Sequence, residues 1–264
     1  MGKDWLDNMK YYVTADVHGY FTELKTALTN LGFFEDTEPH KLIICGDLFD
    51  RGSGALQLQE FLLDLMDKDQ LILIRGNHED LAVGLFNDWD NNSCHMEIYY
   101  ADGTLDTVRQ LTGMRLGQLL LNSEEAKEAF SKTPYVQRLV PAMLDYFETP
   151  NYIFTHGWIP CLVIKEGNKT FHFPNADWRT ASKDEWDRAR WCNGMKAAHN
   201  GIVEPGKTIV CGHWHTSYGH CHYEHDGGEF DNNPNFNPYY GDDIIALDAC
   251  TILSGKVNCI VIED

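Results

Sequence analysis

The chain has 264 residues, 43% hydrophobic and 23% charged, enough apolar content for a sizeable core in one large domain or at most two. Its formal net charge of −19 argues against nucleic acid as a partner, because backbone phosphates are bound by clustered lysine and arginine. A phosphate-bearing ligand would need divalent metals to reverse the sign of the field locally.

The N-terminus, MGKDWLDNMKYY, carries charges where a signal peptide needs an apolar core. Gly2 is present, but Leu6 stands where a myristoylation signal wants Ser or Thr. No apolar run approaches the roughly 20 residues of a membrane span. Eight cysteines (Cys45, Cys94, Cys161, Cys192, Cys211, Cys221, Cys250 and Cys259) include several inside apolar runs, and no CxxC pair occurs. Such cysteines behave as small buried hydrophobes, not as a disulfide framework or zinc ribbon. The expectation is a reducing, cytoplasmic location with no membrane partner.

In chain order, Tyr11–Ala15 reads as a strand leading to Asp16. Phe21, Leu24, Ala27, Leu28 and Leu31 follow at helical spacing. Leu42–Cys45 is a second strand, emptying into Gly46-Asp47-Leu48-Phe49-Asp50-Arg51-Gly52. Leu58, Phe61, Leu62, Leu65 and Met66 form a second helical stripe, and Leu71–Ile74 is a third strand ending at Arg75-Gly76-Asn77-His78-Glu79. Strand and helix alternating at about 30 residues per unit argue for crossover connections and a largely parallel sheet. Each strand ends in a polar cluster, and that edge is where open α/β sheets bind ligands.

Residues 88–147 change character. Short helical patterns (Val108–Leu111, Glu124–Lys132, Val136–Phe147) separated by Asn, Asp, Gly and Ser predict a mostly helical insertion. Strand signals return at Tyr152–Thr155 into His156, Thr208–Cys211 into Gly212, Ile244–Leu247 into Asp248, and Val257–Ile262. Gly219–Asp243, rich in His, Asp, Asn, Gly and Pro, reads as a long irregular loop. No repeat or low-complexity linker appears, so residues 1–264 are expected to form one domain.

Asp16 and His18, two apart at a strand end, would point to the same side of an extended chain and could reach one ion. Asp47 and Asp50, followed by Arg51, make a poor surface loop and a good active-site edge, although Asp50 alone would suit a helix cap. Asn77 offers a neutral oxygen and His78 a proton donor, whereas Glu79 and Asp80 are expected only to charge a helix's first turn. His156 taken alone would be structural. His213 and His215 again alternate to one side. Strand-end clusters of Asp, His and Asn suit a mixed N/O two-metal site that activates water and neutralises a phosphoryl group.

The motifs DVHG, GDLFDRG, RGNHE, THG and GHWH, with the closing IIALDACTILSGKVNCIVIE, resemble the calcineurin-like metallophosphoesterase superfamily. The middle two are similar to its bacterial and phage phosphoprotein phosphatase branch. The resemblance implies an α/β fold: a β-sandwich core of two mixed sheets flanked by helices. It implies that Asp16, His18 and Asp47 bind one metal, and that Asp47, Asn77, His156 and His213 bind a second. His78 would be the general acid oriented by Asp50, and Arg51, with Asn77 nearby, would bind phosphate. A second phosphate-binding arginine, often in a Trp-x-Arg context, is matched by Arg188, with Arg190 and Arg179 as alternatives. Where the protein-phosphatase pattern has Thr after Gly-His-x, this chain has His215, which the wider superfamily uses as a further ligand. His220, His222 and His225 are expected to lie in a solvated loop.

The implied reaction is hydrolysis of a phosphomonoester by a hydroxide bridging two divalent metals, Mn2+ first, Fe or Zn as alternatives. The expected substrate is a phosphorylated serine or threonine of a protein, or a small phosphoester. A symmetrical diadenosine tetraphosphate hydrolase shares these motifs. A non-catalytic metal-binding scaffold on the same fold is a third reading, against which the full ligand set counts.

Overall fold

The structure, a computed structural model, describes residues 9–91, 96–166 and 169–264. The N-terminal stretch read for a leader (apart from Met9-Lys10-Tyr11-Tyr12) and Cys94 lie outside the described residues.

Three strands rich in aromatic and branched residues, β1 (Lys10–Thr14), β2 (His40–Cys45) and β3 (Leu71–Ile74), pair in parallel. Helices α1 (Phe21–Asn30) and α2 (Ala55–Asp67) are the crossovers between them. Past β3 the chain turns helical: α3 (Asn77–Asn91), α4 (Met96–Ala101), α5 (Thr104–Thr112), α6 (Leu116–Leu121), α7 (Ser123–Ser131) and a π-helical turn at Tyr135–Leu139. The helical pattern expected over Val136–Phe147 ends at Ala142, and Phe147 opens a strand.

The second sheet is built from β4 (Phe147–Glu148), β5 (Tyr152–Phe154), β8 (Thr208–Cys211), β9 (Tyr239–Gly241) and β10 (Ile244–Ala246), in the order β4-β5-β8-β10-β9. Its three central strands are parallel and both edges antiparallel. The final strand, β11 (Cys259–Glu263), returns antiparallel to β1, with Lys10 opposite Glu263. A separate hairpin, β6 (Leu162–Glu166) and β7 (Lys169–Phe173), pairs Val163 with His172. Both sheets are therefore mixed. Gly219–Asp243, read as irregular throughout, holds a π-helical turn at His220–Glu224 and β9 at its end.

Side-chain alternation, with period two along each strand, sorts the core into layers. Tyr11, Val13, Ile43, Cys45 and Ile74 of the first sheet meet Phe154, Val210 and Leu247 of the second, forming the sandwich interior. The opposite faces carry Tyr12, Leu42, Ile44 and Leu73 against α1, α2 and the helical stretch. On the other side, Ile153, Ile209 and Ile244 pack on Trp158, Trp178, Trp186 and Met195. The parallel strands of both sheets end toward one edge, where their loops are zipped together. Asp16 N–H donates to Gly46 O (3.2 Å), His18 N–H to Asp47 O (2.9 Å) and Gly212 N–H to His156 O (2.8 Å).

Candidate dimetal active site

The site is assembled from loops held in an uncommon backbone conformation. Asp16 (φ 52°), His18 (φ 49°), Asp47 (φ 56°), Asp50 (φ 89°) and His213 (φ 65°) all occupy the left-handed region. Asp and His tolerate that region better than most non-glycine residues, but each instance still costs of order 1–3 kcal/mol. The extended-chain alternation expected at Asp16/His18 and His213/His215 is therefore not what aims these side chains. The turns do. Gly46 begins the tightest of them: at φ +82°, a Cβ there would sit 2.4 Å from His156 Nδ1.

Two groups of potential ligands share Asp47. One is His18, Asp47 and His78; the other is Asp47, His156 and His213. Within each group the donor atoms lie within 4.8 Å of one another. His18 Nδ1 is 2.7 Å from Phe49 O, which fixes its proton there and turns the Nε2 lone pair toward Asp47 Oδ2, 3.7 Å away. His156 is held the same way, with Nδ1 2.8 Å from Cys45 O. Its Nε2 then faces Asn77 Oδ1 at 2.7 Å and Asp47 Oδ1 at 3.4 Å. Burial, and then the neighbouring His213, keep His156 well below the ordinary histidine pKa. A neutral His156 so oriented brings its lone pair against an amide oxygen and a carboxylate. A cation is what such a buried cluster of acceptors fits, and imidazole, amide oxygen and carboxylate suit Mn, Fe or Zn.

Asp16 is buried beside these groups, its carboxylate accepting the His213 N–H on both oxygens (3.0 and 2.9 Å). Burial, then the charges of Asp248 and Asp47, raise it well above the usual carboxylate range. Burial likewise lifts Asp47 to about 7 and Asp248 to about 6. His213 is pushed down to about 4 by burial and by His78. Carboxylates held protonated beside imidazoles held neutral would all be put right by positive charge between them. His215 stands apart in the cleft wall, with Nδ1 2.9 Å from Ser217 Oγ and Nε2 3.2 Å from Glu229 Oε1. His220, expected in solvent, is buried and bridges Glu224 and Asn237 O.

His78 N–H donates to Asp47 Oδ1 (3.0 Å), and its Nδ1 lies 3.0 Å from Asp50 Oδ2. Burial would lower its pKa, but the Asp47 carboxylate and the Asp50 hydrogen bond outweigh it and hold the imidazolium up to about 9. Asp50 is fixed from the helical stretch: Thr104 Oγ1 donates to Oδ2 (2.8 Å) and Thr107 Oγ1 to Oδ1 (2.6 Å), while Asp50 N–H donates back to Thr107 Oγ1 (3.0 Å). Gly103 permits this approach, since a Cβ there would fall 1.6 Å from Asp50 O. Gln110 adds two bonds, to Gly52 O and from Ala55 N–H, both 2.9 Å.

Glu79 does more than charge a helix turn. Fully buried, it accepts N–H bonds from Asp47 (3.0 Å), Leu48 (3.0 Å) and Gly76 (2.8 Å), clamping the β2 and β3 loops together. The arginines divide sharply. Arg51 is exposed and lines the cleft, which has a volume of ≈ 290 Å³. Arg188 is exposed on the helix Lys183–Ala189, away from the cleft lining. Arg190 is buried among Asp80, Asp145 and Asp187. Arg179 is paired with Glu148 and Glu204 and stacked over Trp178. None of these three joins Arg51 in the cleft lining. Tyr20, Asp102, Trp191, Asp248, Cys250, Thr251 and Ile252 complete it. Asp248 could have been found, because a strand running into a carboxylate is the pattern that marked Asp16 and Asp47.

Comparison with known proteins agrees with this geometry. The family model for calcineurin-like phosphoesterases matches residues 9–247. "Serine/threonine-protein phosphatase 2" of Salmonella typhimurium is 30% identical over 137 residues, 51% of this chain and 58% of that protein. The symmetrical bis(5'-nucleosyl)-tetraphosphatase of Sodalis glossinidius is 38% identical over 232 residues, 78% of this chain and 81% of that one. Among solved structures, a cold-active protein-tyrosine phosphatase of a Shewanella species superposes with a TM-score of 0.52 at 15% identity, covering 96% of this chain and 74% of that chain. With its two mixed sheets and the Asp47-centred ligand groups at their shared edge, the chain belongs to the calcineurin-like phosphoesterase family.

Proposed function

We propose that this protein is a metal-dependent phosphomonoesterase acting on phosphoserine or phosphothreonine in proteins. One observation carries the reading: two ligand groups share Asp47 beside a histidine whose Nδ1 is held by a buried carboxylate. Asp16, His18 and Asp47 would hold one divalent ion, and Asp47, Asn77, His156 and His213 the other, Mn2+ by preference with Fe or Zn as alternatives. Such a pair supplies Lewis acidity toward the phosphoryl oxygens and lowers the pKa of an attacking water. The chain's own residues do the rest. Arg51 holds a non-bridging phosphoryl oxygen, electrostatic help that is greatest as charge develops. As the ester P–O bond breaks, His78 Nε2 gives its proton to the leaving oxygen, worth roughly 10²–10⁴-fold. Asp50 keeps Nδ1–H occupied, so that the ring faces the substrate through Nε2.

The choice of a monoester over a dinucleoside polyphosphate rests on charge. Among the described residues lining the cleft, Arg51 is the one arginine or lysine, and Asp102 and Asp248 stand close by. A four-phosphate chain would meet a single side-chain cation there. The tetraphosphatase reading keeps the support of the Sodalis relative, with its greater coverage. The experiment is direct: the metal-loaded protein is given a phosphothreonine peptide and diadenosine tetraphosphate. Inorganic phosphate from the peptide at the higher kcat/KM supports the proposal. ADP from the dinucleotide at the higher kcat/KM reverses it, and no turnover of any phosphoester with metal bound leaves the scaffold reading. The free thiols among the described residues fit a reducing, cytoplasmic setting, and the charge of −19 fits a partner other than nucleic acid. Among the described residues no helix is long and apolar enough to cross a membrane.

A further inference from the structure

Beside the cleft lies a cluster that hydrolysis does not use. Cys161 ends the loop that leaves His156, immediately before β6. The β6–β7 register brings His172 back to it, with Cys161 Sγ 3.2 Å from His172 Nδ1. From the other side comes Cys192, next to the cleft residue Trp191, its thiol in hydrogen-bonding contact with Cys161. Both cysteines are only partly buried. We propose that Cys161 and Cys192 form a peroxide-sensitive thiol pair, in which Cys161 is the attacking sulfur and Cys192 the resolving one.

The environment separates the two roles. Cys161 receives hydrogen bonds from the Cys192 thiol and the His172 ring, which hold its pKa at about 6 despite partial burial. Cys192, donating to Cys161 and more deeply buried, is held far above the usual thiol range. The other sulfurs that are described differ: Cys45 and Cys211 are buried in the core, and burial raises Cys250 to about 11. The reaction balances with a peroxide as oxidant. The Cys161 thiolate attacks one peroxide oxygen, the O–O bond breaks and the departing oxygen leaves as water, giving a sulfenic acid. Cys192 sulfur then attacks Cys161 sulfur, the S–O bond breaks, and a second water carries off the Cys192 proton. Two thiols lose two electrons to one peroxide, and the sulfurs close to about 2.05 Å. The new bond would tether the loop that follows His156 to the backbone of Trp191, whose ring packs edge-on against His213 at 5.7 Å.

At pH 7 a thiol of pKa about 6 is ionised about 90-fold more than one of ordinary acidity. Lower nucleophilicity takes back about 20-fold, so Cys161 should alkylate about fourfold faster than a model thiol. The metal-loaded full-length protein is titrated with hydrogen peroxide, blocked with a maleimide and mapped by peptide mass spectrometry. The expected product is a Cys161–Cys192 cross-linked peptide pair, reversed by dithiothreitol. In Cys192→Ser the expected product is a sulfenic acid at Cys161, captured by a dimedone probe. Alkylation of Cys161 no faster than the model thiol, or a dimedone adduct that favours other cysteines in Cys192→Ser, overturns the proposal. The readout is covalent, so it stands or falls independently of which phosphoester the site hydrolyses.

Discussion

Replacing Asp50 by Asn tests the acid side of the proposed reaction. The carboxylate takes hydrogen bonds from Thr104, Thr107 and the His78 ring, and it is one of two charges that hold the His78 proton to about 9. The amide keeps the shape and removes the charge. A hydrogen bond to a charged partner is worth about 1.5–3 kcal/mol. At 1.36 kcal/mol per unit, its loss lowers the His78 pKa by about 1–2 units. A proton donor must be protonated, so activity is lost as pH rises through this pKa. In Asp50→Asn the alkaline limb should therefore move down to about 7–8, and at pH 8 turnover of an alkyl phosphate should fall up to about tenfold. The assay is steady-state hydrolysis from pH 6 to 10 of a phosphoserine peptide and an activated aryl phosphate, with equal metal content verified by elemental analysis. The aryl ester, whose leaving group needs no proton, should change little. Coincident limbs for variant and parent, or equal losses on both substrates, would refute the reasoning.

Glu79→Gln puts an amide N–H₂ against backbone donors that now meet a carboxylate. An unmatched buried donor costs about 1–3 kcal/mol, and each kcal/mol lowers Tm by about 2–4 °C at this size; an unchanged calorimetric Tm in the chelated protein would count against the clamp. Gly103→Ala forces a Cβ toward Asp50 O at a left-handed φ. It should depress alkyl-phosphate turnover well before metal content falls, and the reverse order by parallel kinetics and elemental analysis would show that Gly103 acts elsewhere. Because burial holds Asp47 to about 7, binding of Mn2+ below that pH must displace its proton. Affinity should rise about tenfold per pH unit between 6 and 7 and level off above, and a pH-independent Kd from calorimetric titration would exclude Asp47 as the ligand.

The central strands were legible because they are short apolar runs that each empty into polar residues. Leu71–Ile74 falls where expected, and Thr208–Cys211 does too. The β6–β7 hairpin was not legible, since VIKEGNKTFH mixes charge into both strands and exposes its apolar residues. The site motifs announced themselves as residue types in the right places. What period-two reasoning could not supply was aim, because left-handed turns at Asp16, His18 and His213 set it. Thr104 and Thr107 carried no signal at all. They lie over 50 residues from Asp50 in an ordinary amphipathic helix, and only the tertiary docking of α5 gives their hydroxyls a carboxylate. The arginines failed as a local motif for a similar reason: Arg190 and Arg179 are consumed by buried carboxylates contributed from distant segments.

The docking of α5 on Asp50 also decides how molecules reach the metals. A door must be able to open without breaking its own frame. If the helical stretch swung away, Asp50 would give up both threonine hydroxyls and be left as a buried charge with unmatched acceptors, a penalty of several kcal/mol at every turnover. That wall is a doorpost. Traffic in and out is left to the opposite lip, where Trp191 and Ile252 are more than half exposed. Whatever carries the phosphate is met first by an apolar threshold, so the residues flanking the phosphorylated group, more than the phosphate itself, should govern which substrates enter.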